Sequence, residues 1–153
     1  MLQALAVSSA ALDAGFSSLP EQMSVSPQLA RQAAVELVAS DKLAEAFALV
    51  DRAVRQHPDS QELVSMLALI SEARQDWAQA SVYLERLVRL QGSGVTAETL
   101  CHWVRVLRCQ GKIQRAARLA DNSLKMFPGH EMLESESSTL KSILSVNLPE
   151  AGV

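Results

Sequence analysis

A chain of 153 residues, 48% of them apolar and 20% charged, holds enough material for one domain with a continuous core. Its net charge of −3 supplies no basic face of the kind nucleic acid demands, and no apolar run reaches the roughly 20 residues of a membrane-spanning helix. Aromatic residues at 4%, beside abundant alanine and leucine, argue against a β-sandwich and for closely packed helices.

The opening stretch, MLQALAVSSAALDAG, carries no charge before Asp13. Leu2, Leu5, Ser9, Leu12 and Phe16 recur there at alternating spacings of three and four, which predicts one apolar helical stripe. Such a stripe needs a cover, either the body of this chain or a second copy of it. A secretory signal is the rival reading, but no Lys or Arg precedes the run. FSSLPEQMSVS, ending at Ser26, reads as a linker, so residues 1–26 form an N-terminal helix and linker.

Ser26-Pro27 makes a helix start, with serine as N-cap and proline in the first turn. Ala30, Ala33, Ala34, Leu37 and Val38 follow at helical spacing to an end near Ser40-Asp41. An antiparallel partner runs from Lys42 to Gln56, with Leu43, Ala46, Phe47, Val50, Ala53 and Val54 inward; His57-Pro58 stops it. Asp59 with Glu62 predicts a capping box that opens a third helix carrying Val64, Leu67, Ala68 and Ile70. Trp77, Ala80, Leu84, Leu87 and Val88 mark the next helix, and Gly92-Ser93-Gly94 the loop after it. Thr96 is suited to cap a helix that faces inward through Leu100, Trp103, Val104 and Leu107. Its partner carries Ile113, Ala116, Leu119, Ala120 and Leu124. A capping helix over 129–147 sets Met132, Leu133, Leu140, Ile143 and Leu144 against Glu131, Glu134, Glu136, Ser137, Ser138 and Lys141, and residues 148–153 form a tail.

Within this order one stretch occurs three times. DKLAEAFALVDRAVRQHP from Asp41, QDWAQASVYLERLVRLQG from Gln75 and GKIQRAARLADNSLKMFP from Gly111 are spaced by 34 and 36 residues. Each opens on a turn-forming residue, has a large apolar third position (Leu43, Trp77, Ile113) and an alanine at the sixth (Ala46, Ala80, Ala116). Two close on proline, Pro58 and Pro128, and one on Gly92. This period predicts an all-α solenoid of stacked antiparallel helix pairs. The alanines have a physical reason, since two helices approach to about 8 Å only where the contacting side chains are small.

The spacing resembles the tetratricopeptide repeat, a helix–turn–helix unit, in three copies over 27–58, 61–92 and 97–128. The family's small residue falls on Ala34, Ala68 and Val104, and its alanine on Ala46, Ala80 and Ala116. A larger residue falls on Val50, Leu84 and Ala120, a second alanine position on Ala53, Leu87 and Ser123, and its proline on Pro58, Gly92 and Pro128. Ala30, Val64 and Leu100 depart from a frequent tryptophan, and Leu37, Ser71 and Leu107 from tyrosine. The resemblance implies a right-handed superhelix with the first helix of each pair on its concave side. It places partner-binding positions on Gln28, Arg31, Val35 and Val38, on Glu62, Ser65, Leu69 and Glu72, and on Glu98, Cys101, Arg105 and Arg108. These offer a mildly apolar floor and an Arg105/Arg108 pair for an acidic group; the alternative is a solvated face whose charges pair among themselves. Val35 and Leu69 stand where co-chaperones that grip heat-shock chaperone tails carry asparagine, so that ligand is not expected.

Catalytic chemistry finds no foothold. His57, His102 and His130 lie in no nucleophile or zinc motif, and Gly92-Ser93-Gly94 lacks the lysine of a phosphate loop. Cys101 and Cys109, eight residues apart in one helix, should have Cα atoms about 12 Å apart, too far for a disulfide. A reducing, cytoplasmic setting follows most simply. No enzyme activity, cofactor or metal is expected. The expected function is a protein–protein interaction module that holds a peptide or helix of another protein in its groove. Three repeats, an apolar N-terminal helix and an acidic balance look like the small bacterial chaperones of type III secretion translocators, an assembly-adaptor role. The alternative is a homo-oligomeric scaffold self-associating through Leu2, Leu5, Leu12 and Phe16.

Overall fold

The computed structural model describes residues 26–147, and every regular element among them is helical. The N-terminal stripe and linker expected before Ser26, with Leu2, Leu5, Leu12 and Phe16, lie outside the described residues, as does the tail over 148–153. Seven α-helices run through the described residues: α1 (Pro27–Ala39), α2 (Leu43–Gln56), α3 (Gln61–Ala73), α4 (Trp77–Gln91), α5 (Ala97–Cys109), α6 (Ile113–Met126) and α7 (Glu131–Asn147). A single 3₁₀ turn, Gly92–Gly94, follows α4. The chain divides into two compact units, one ending at Asp76 and the other beginning at Trp77.

The turn chemistry sets where the helices begin and end. Ser26 has extended backbone, with Pro27 in the first turn of α1. Thr96 caps α5, its Oγ1 accepting from the Thr99 amide at 3.1 Å. The start of α3 corrects an expectation, because Ser60 rather than Asp59 is its N-cap. The Ser60 amide donates to the His57 carbonyl at 3.1 Å, which places Asp59 inside a turn, and Ser60 Oγ then accepts from the Leu63 amide at 3.2 Å. The cap sits three residues before the amide that it satisfies, the usual reach of a short side chain.

Three helices end in the same way. Asp41, Gln75 and Gly111 hold the left-handed conformation, with φ of 61°, 60° and 82°. Behind each, the next amide reaches back to close the helix: Lys42 to the Leu37 carbonyl at 2.8 Å, Asp76 to Ser71 at 2.9 Å and Lys112 to Leu107 at 2.9 Å. This closure satisfies carbonyls that the helix end leaves without amides, and glycine adopts it without a steric cost from Cβ. Gly111 suits the position and aspartate tolerates it, but Gln75 is held there against its preference. Gln75→Gly should therefore raise stability by about 0.5–1 kcal/mol, read as a higher urea midpoint with an unchanged slope.

In the first unit, α1 buries Ala30, Ala33, Ala34 and Leu37, and α2 buries Ala46, Leu49, Val50, Ala53 and Val54. Leu63, Val64, Leu67, Ala68 and Ile70 complete this core from α3. At its edge, the Arg74 guanidinium lies 5.3 Å from the centre of the Phe47 ring. In the second unit, Val104, Leu107, Ala116, Ala120 and Leu140 form one buried cluster drawn from α5, α6 and α7. Trp103, Ile113, Ala117 and Leu119 pack around it, half-buried.

Helix α7 is rotated relative to its expected face. Met132, expected inward, is 53% exposed, whereas Ser137, expected outward, is buried with Leu133 and Leu140. Leu133, Ser137 and Leu140 follow at i, i+4 and i+7, so the small serine sits within the packed stripe and the rotation carries Met132 out of it. Ile143 and Leu144 are half-buried.

Candidate functional site

The positions expected to bind a partner fall into two groups, one in each unit. In the first unit, Arg31, Val35 and Val38 share one face of α1 at spacings of four and three. Glu62, Ser65, Leu69 and Glu72 follow the matching row of α3. Arg31 Nε lies 3.3 Å from Glu62 Oε2, which brings the two rows side by side. Both side chains are more than half exposed, so the pair adds little stability. Val35, Val38 and Leu69 are 53%, 40% and 49% exposed, while Ala34, Leu37, Ala68 and Ile70 beside them are buried. Gln28 is exposed at the start of the row, Ser65 is half-buried, and Glu72 is buried at its far end. The result is a small apolar surface bordered by one cation and one anion.

The second unit places Glu98, Cys101 and Arg105 around a cavity of about 150 Å³ between α5 and α7. His102 from α5, with Met132, Ser135 and Glu136 from α7, completes the lining. Arg108 takes a different part. Its Nε and Nη2 donate to the two carboxylate oxygens of Glu136 at 2.9 and 3.2 Å, tying α5 to α7. That hydrogen bond raises the Arg108 pKa further, with partial burial opposing it. Removing Arg108 leaves a partly buried carboxylate behind. Arg108→Ala should cost about 1.5–3 kcal/mol by urea denaturation, and Arg108→Lys should recover only part because an ammonium lacks the two-pronged fork.

Cys101 is buried where it lines this cavity, and Cys109 is exposed at the end of α5. Burial pushes the Cys101 thiol above its ordinary range, the Glu136 carboxylate adds to the rise, and Arg105 opposes it. A raised thiol pKa keeps its stability contribution below the unfolded value, and loses it as pH climbs through the folded one. Stability should therefore fall faster above about pH 9 than in Cys101→Ala, measured by urea midpoints across alkaline pH. At neutral pH a maleimide should consume one thiol quickly, Cys109, and the second only on unfolding.

Sequence reasoning did not foresee His102, Met132, Ser135 or Glu136 as neighbours of the predicted positions. A signal existed for two of them. Numbering a further unit from Glu131 puts its second and fifth positions on Met132 and Ser135, as the second and fifth of the preceding unit are Glu98 and Cys101. No group of three or more potential metal ligands occurs among the described residues, and no described helix is long and apolar enough to cross a membrane.

No family model matches the chain, and no curated protein matches it. Solved structures do. The second TPR domain of human RPAP3, solved by NMR with the HSP70 peptide SGPTIEEVD, superposes with a TM-score of 0.65 at 17% identity, covering 73% of this chain and 92% of that one. A mutant O-GlcNAc transferase from Thermobaculum terrenum superposes with a TM-score of 0.58 at 20% identity, covering 77% of this chain. Only 23% of the transferase is spanned by that match. All-α and built from helix pairs joined by tight turns, the chain has the tetratricopeptide-repeat fold.

Proposed function

We propose that this chain is a non-catalytic binding module that holds a peptide or helix of another protein on the exposed face of its first helices. The carrying observation is the exposure of Val35, Val38 and Leu69 on one face of α1 and α3, where the Arg31–Glu62 pair closes the border. Apolar side chains left in water beside a fixed pair of opposite charges suit a ligand that is apolar in the middle and charged at its edge. The neighbour from human RPAP3 carries a bound peptide on the same fold, at an identity that relates the folds alone. A small secretion-type chaperone or assembly adaptor is the finer form of this reading, supported by the three-unit sequence layout and the acidic balance. Free thiols at Cys101 and Cys109 fit a reducing compartment.

Selection from a displayed peptide library tests the proposal. Peptides enriched on the full chain should lose at least about tenfold in affinity on Val35→Asp/Leu69→Asp, because each change sets a carboxylate in the apolar contact. Val82→Asp, at a residue 61% exposed on α4, should leave them bound. Equal loss at both places, or none at either, would count against the proposal.

A further inference from the structure

We propose that the outer face of α6 docks an acidic segment of a partner protein, one that spreads its carboxylates along about 20 Å. This face belongs to the second unit, and the proposal is independent of the apolar face carried by α1 and α3.

Four cations define the surface. Lys112 stands at the N-cap of α6 and Arg115 in its first turn. Arg118 and Lys125 follow on the side away from the buried Ala116, Ala120 and Ser123. All four are exposed, and the run from Lys112 to Lys125 covers about 20 Å at 1.5 Å per residue. Among the described residues no carboxylate pairs with any of them, neither Asp121 on the same helix nor Glu131 or Glu134 on α7. Residues 77–147 hold nine Lys and Arg against six Asp and Glu, so the surroundings add to the positive potential of this face.

The repeat supplies an internal comparison. On the matched helices the cation near the end is answered by a carboxylate one turn earlier. Asp51 lies 2.8 Å from Arg55 on α2, and Glu85 lies 3.5 Å from Arg89 on α4. Lys125 occupies the same place on α6, four residues after Asp121, yet the two do not pair. Where α6 has Arg115, the other two helices have Glu45 and Gln79; where it has Arg118, they have Ala48 and Val82. The fold therefore requires neither arginine. Arg115 also stands at the positive end of its helix, where a carboxylate such as Glu45 on α2 is the favourable choice. A local preference set aside without a compensating contact marks a surface shaped by a ligand.

The ligand class follows from what else the face offers. Met126 is 55% exposed at its C-terminal end, and the remaining exposed side chains, Gln114, Asp121 and Asn122, are polar. With a single apolar side chain to insert, the face is not built to enter a lipid surface. A nucleic acid would reach past it onto a chain of net charge −3. A short acidic segment meets the cations and little else, and long-range attraction speeds its association.

Fluorescence anisotropy on the full chain tests this. The probe is a labelled, end-capped, alanine-rich helical peptide of about 14 residues with glutamates along one face, beside its glutamine counterpart. The glutamate peptide should bind, and the glutamine peptide should bind at least about tenfold more weakly. Raising salt from about 50 to 300 mM should release the glutamate peptide. Arg118→Glu should weaken it at least about fivefold, whereas Lys141→Glu, the same change of net charge at an exposed position of α7, should alter it less than about twofold. Both residues are exposed, so both variants stay folded. Val35→Ser/Leu69→Ser should leave the peptide bound. Failure of the glutamate peptide to bind, or equal affinity for both peptides, would overturn the proposal. So would equal loss in Arg118→Glu and Lys141→Glu, which would reduce the effect to net charge, or loss in Val35→Ser/Leu69→Ser, which would move the peptide to α1 and α3. Phosphatidylcholine vesicles with one-third phosphatidylserine should not retain the chain; retention abolished by Arg115→Glu/Arg118→Glu would overturn the choice of a protein ligand. None of these failures touches the apolar face of the first unit, whose reading stands or falls on its own experiment.

Discussion

Ala116→Arg is expected to abolish the cooperative unfolding of the second unit. Ala116 is fully buried in a cluster with Val104, Leu107, Ala120 and Leu140, where α5, α6 and α7 converge. A guanidinium there forces the helices apart and brings a charge without a partner. Overpacking alone costs about 1–3 kcal/mol, and an uncompensated buried charge adds several more. Against a total stability of about 5–15 kcal/mol, that sum leaves little. Gln114→Arg, at an exposed position two residues earlier on α6, should stay within about 0.5 kcal/mol of the parent. Thermal melts followed by circular dichroism separate the two outcomes: a broad, early transition for the first and an unchanged one for the second.

Leu140→Ala should produce the next largest loss, about 2–5 kcal/mol. Leu140 is fully buried and is the residue through which α7 enters the same cluster. Its truncation leaves a cavity that neighbouring helices close only in part. The Arg108–Glu136 pair and Leu133 still hold α7, so the variant should remain folded at low denaturant with a lower midpoint. Hydrogen exchange should show α7 amides losing protection before those of α5 and α6. Uniform loss across all three helices would mean that α7 does not open as a separate element.

The architecture was largely legible in the sequence because three independent signals agreed. Alanines at matched positions, turn residues at Asp41, Gln75 and Gly111, and the proline or glycine closures all recur at the same spacings of 34 and 36 residues. The buried faces of α2, α4, α5 and α6 follow that pattern, and so do the ends of α1 and α2. Local chemistry was less legible where two candidates stood side by side. Asp59 and Ser60 can each cap a helix, and only the turn closed by the Ser60 amide on the His57 carbonyl decides between them. On α7 the apolar residues define a face only loosely. A serine within the buried stripe is invisible to a hydrophobic pattern, so Met132 and Ser137 exchanged places. The candidate sites depended on contacts between helices distant in sequence. Nothing near Arg108 in the chain announces Glu136, yet their pairing separates the two arginines into one that holds α7 and one that faces the cavity. Glu72 and Cys101 lie on the predicted rows but are buried, which a face assigned by spacing alone does not reveal.

Small side chains at the repeated position, where Ala46, Ala80 and Ala116 are all fully buried, permit the close approach of neighbouring helices. Substituting leucine for Ala46, Ala80 and Ala116 in turn, and for the exposed Ala44 and Ala78 on α2 and α4, tests it most directly by urea unfolding. Each buried substitution should lower stability by about 1–3 kcal/mol, and each exposed one should change it by less than about 0.5 kcal/mol. Equal, small effects at all five positions would contradict the account.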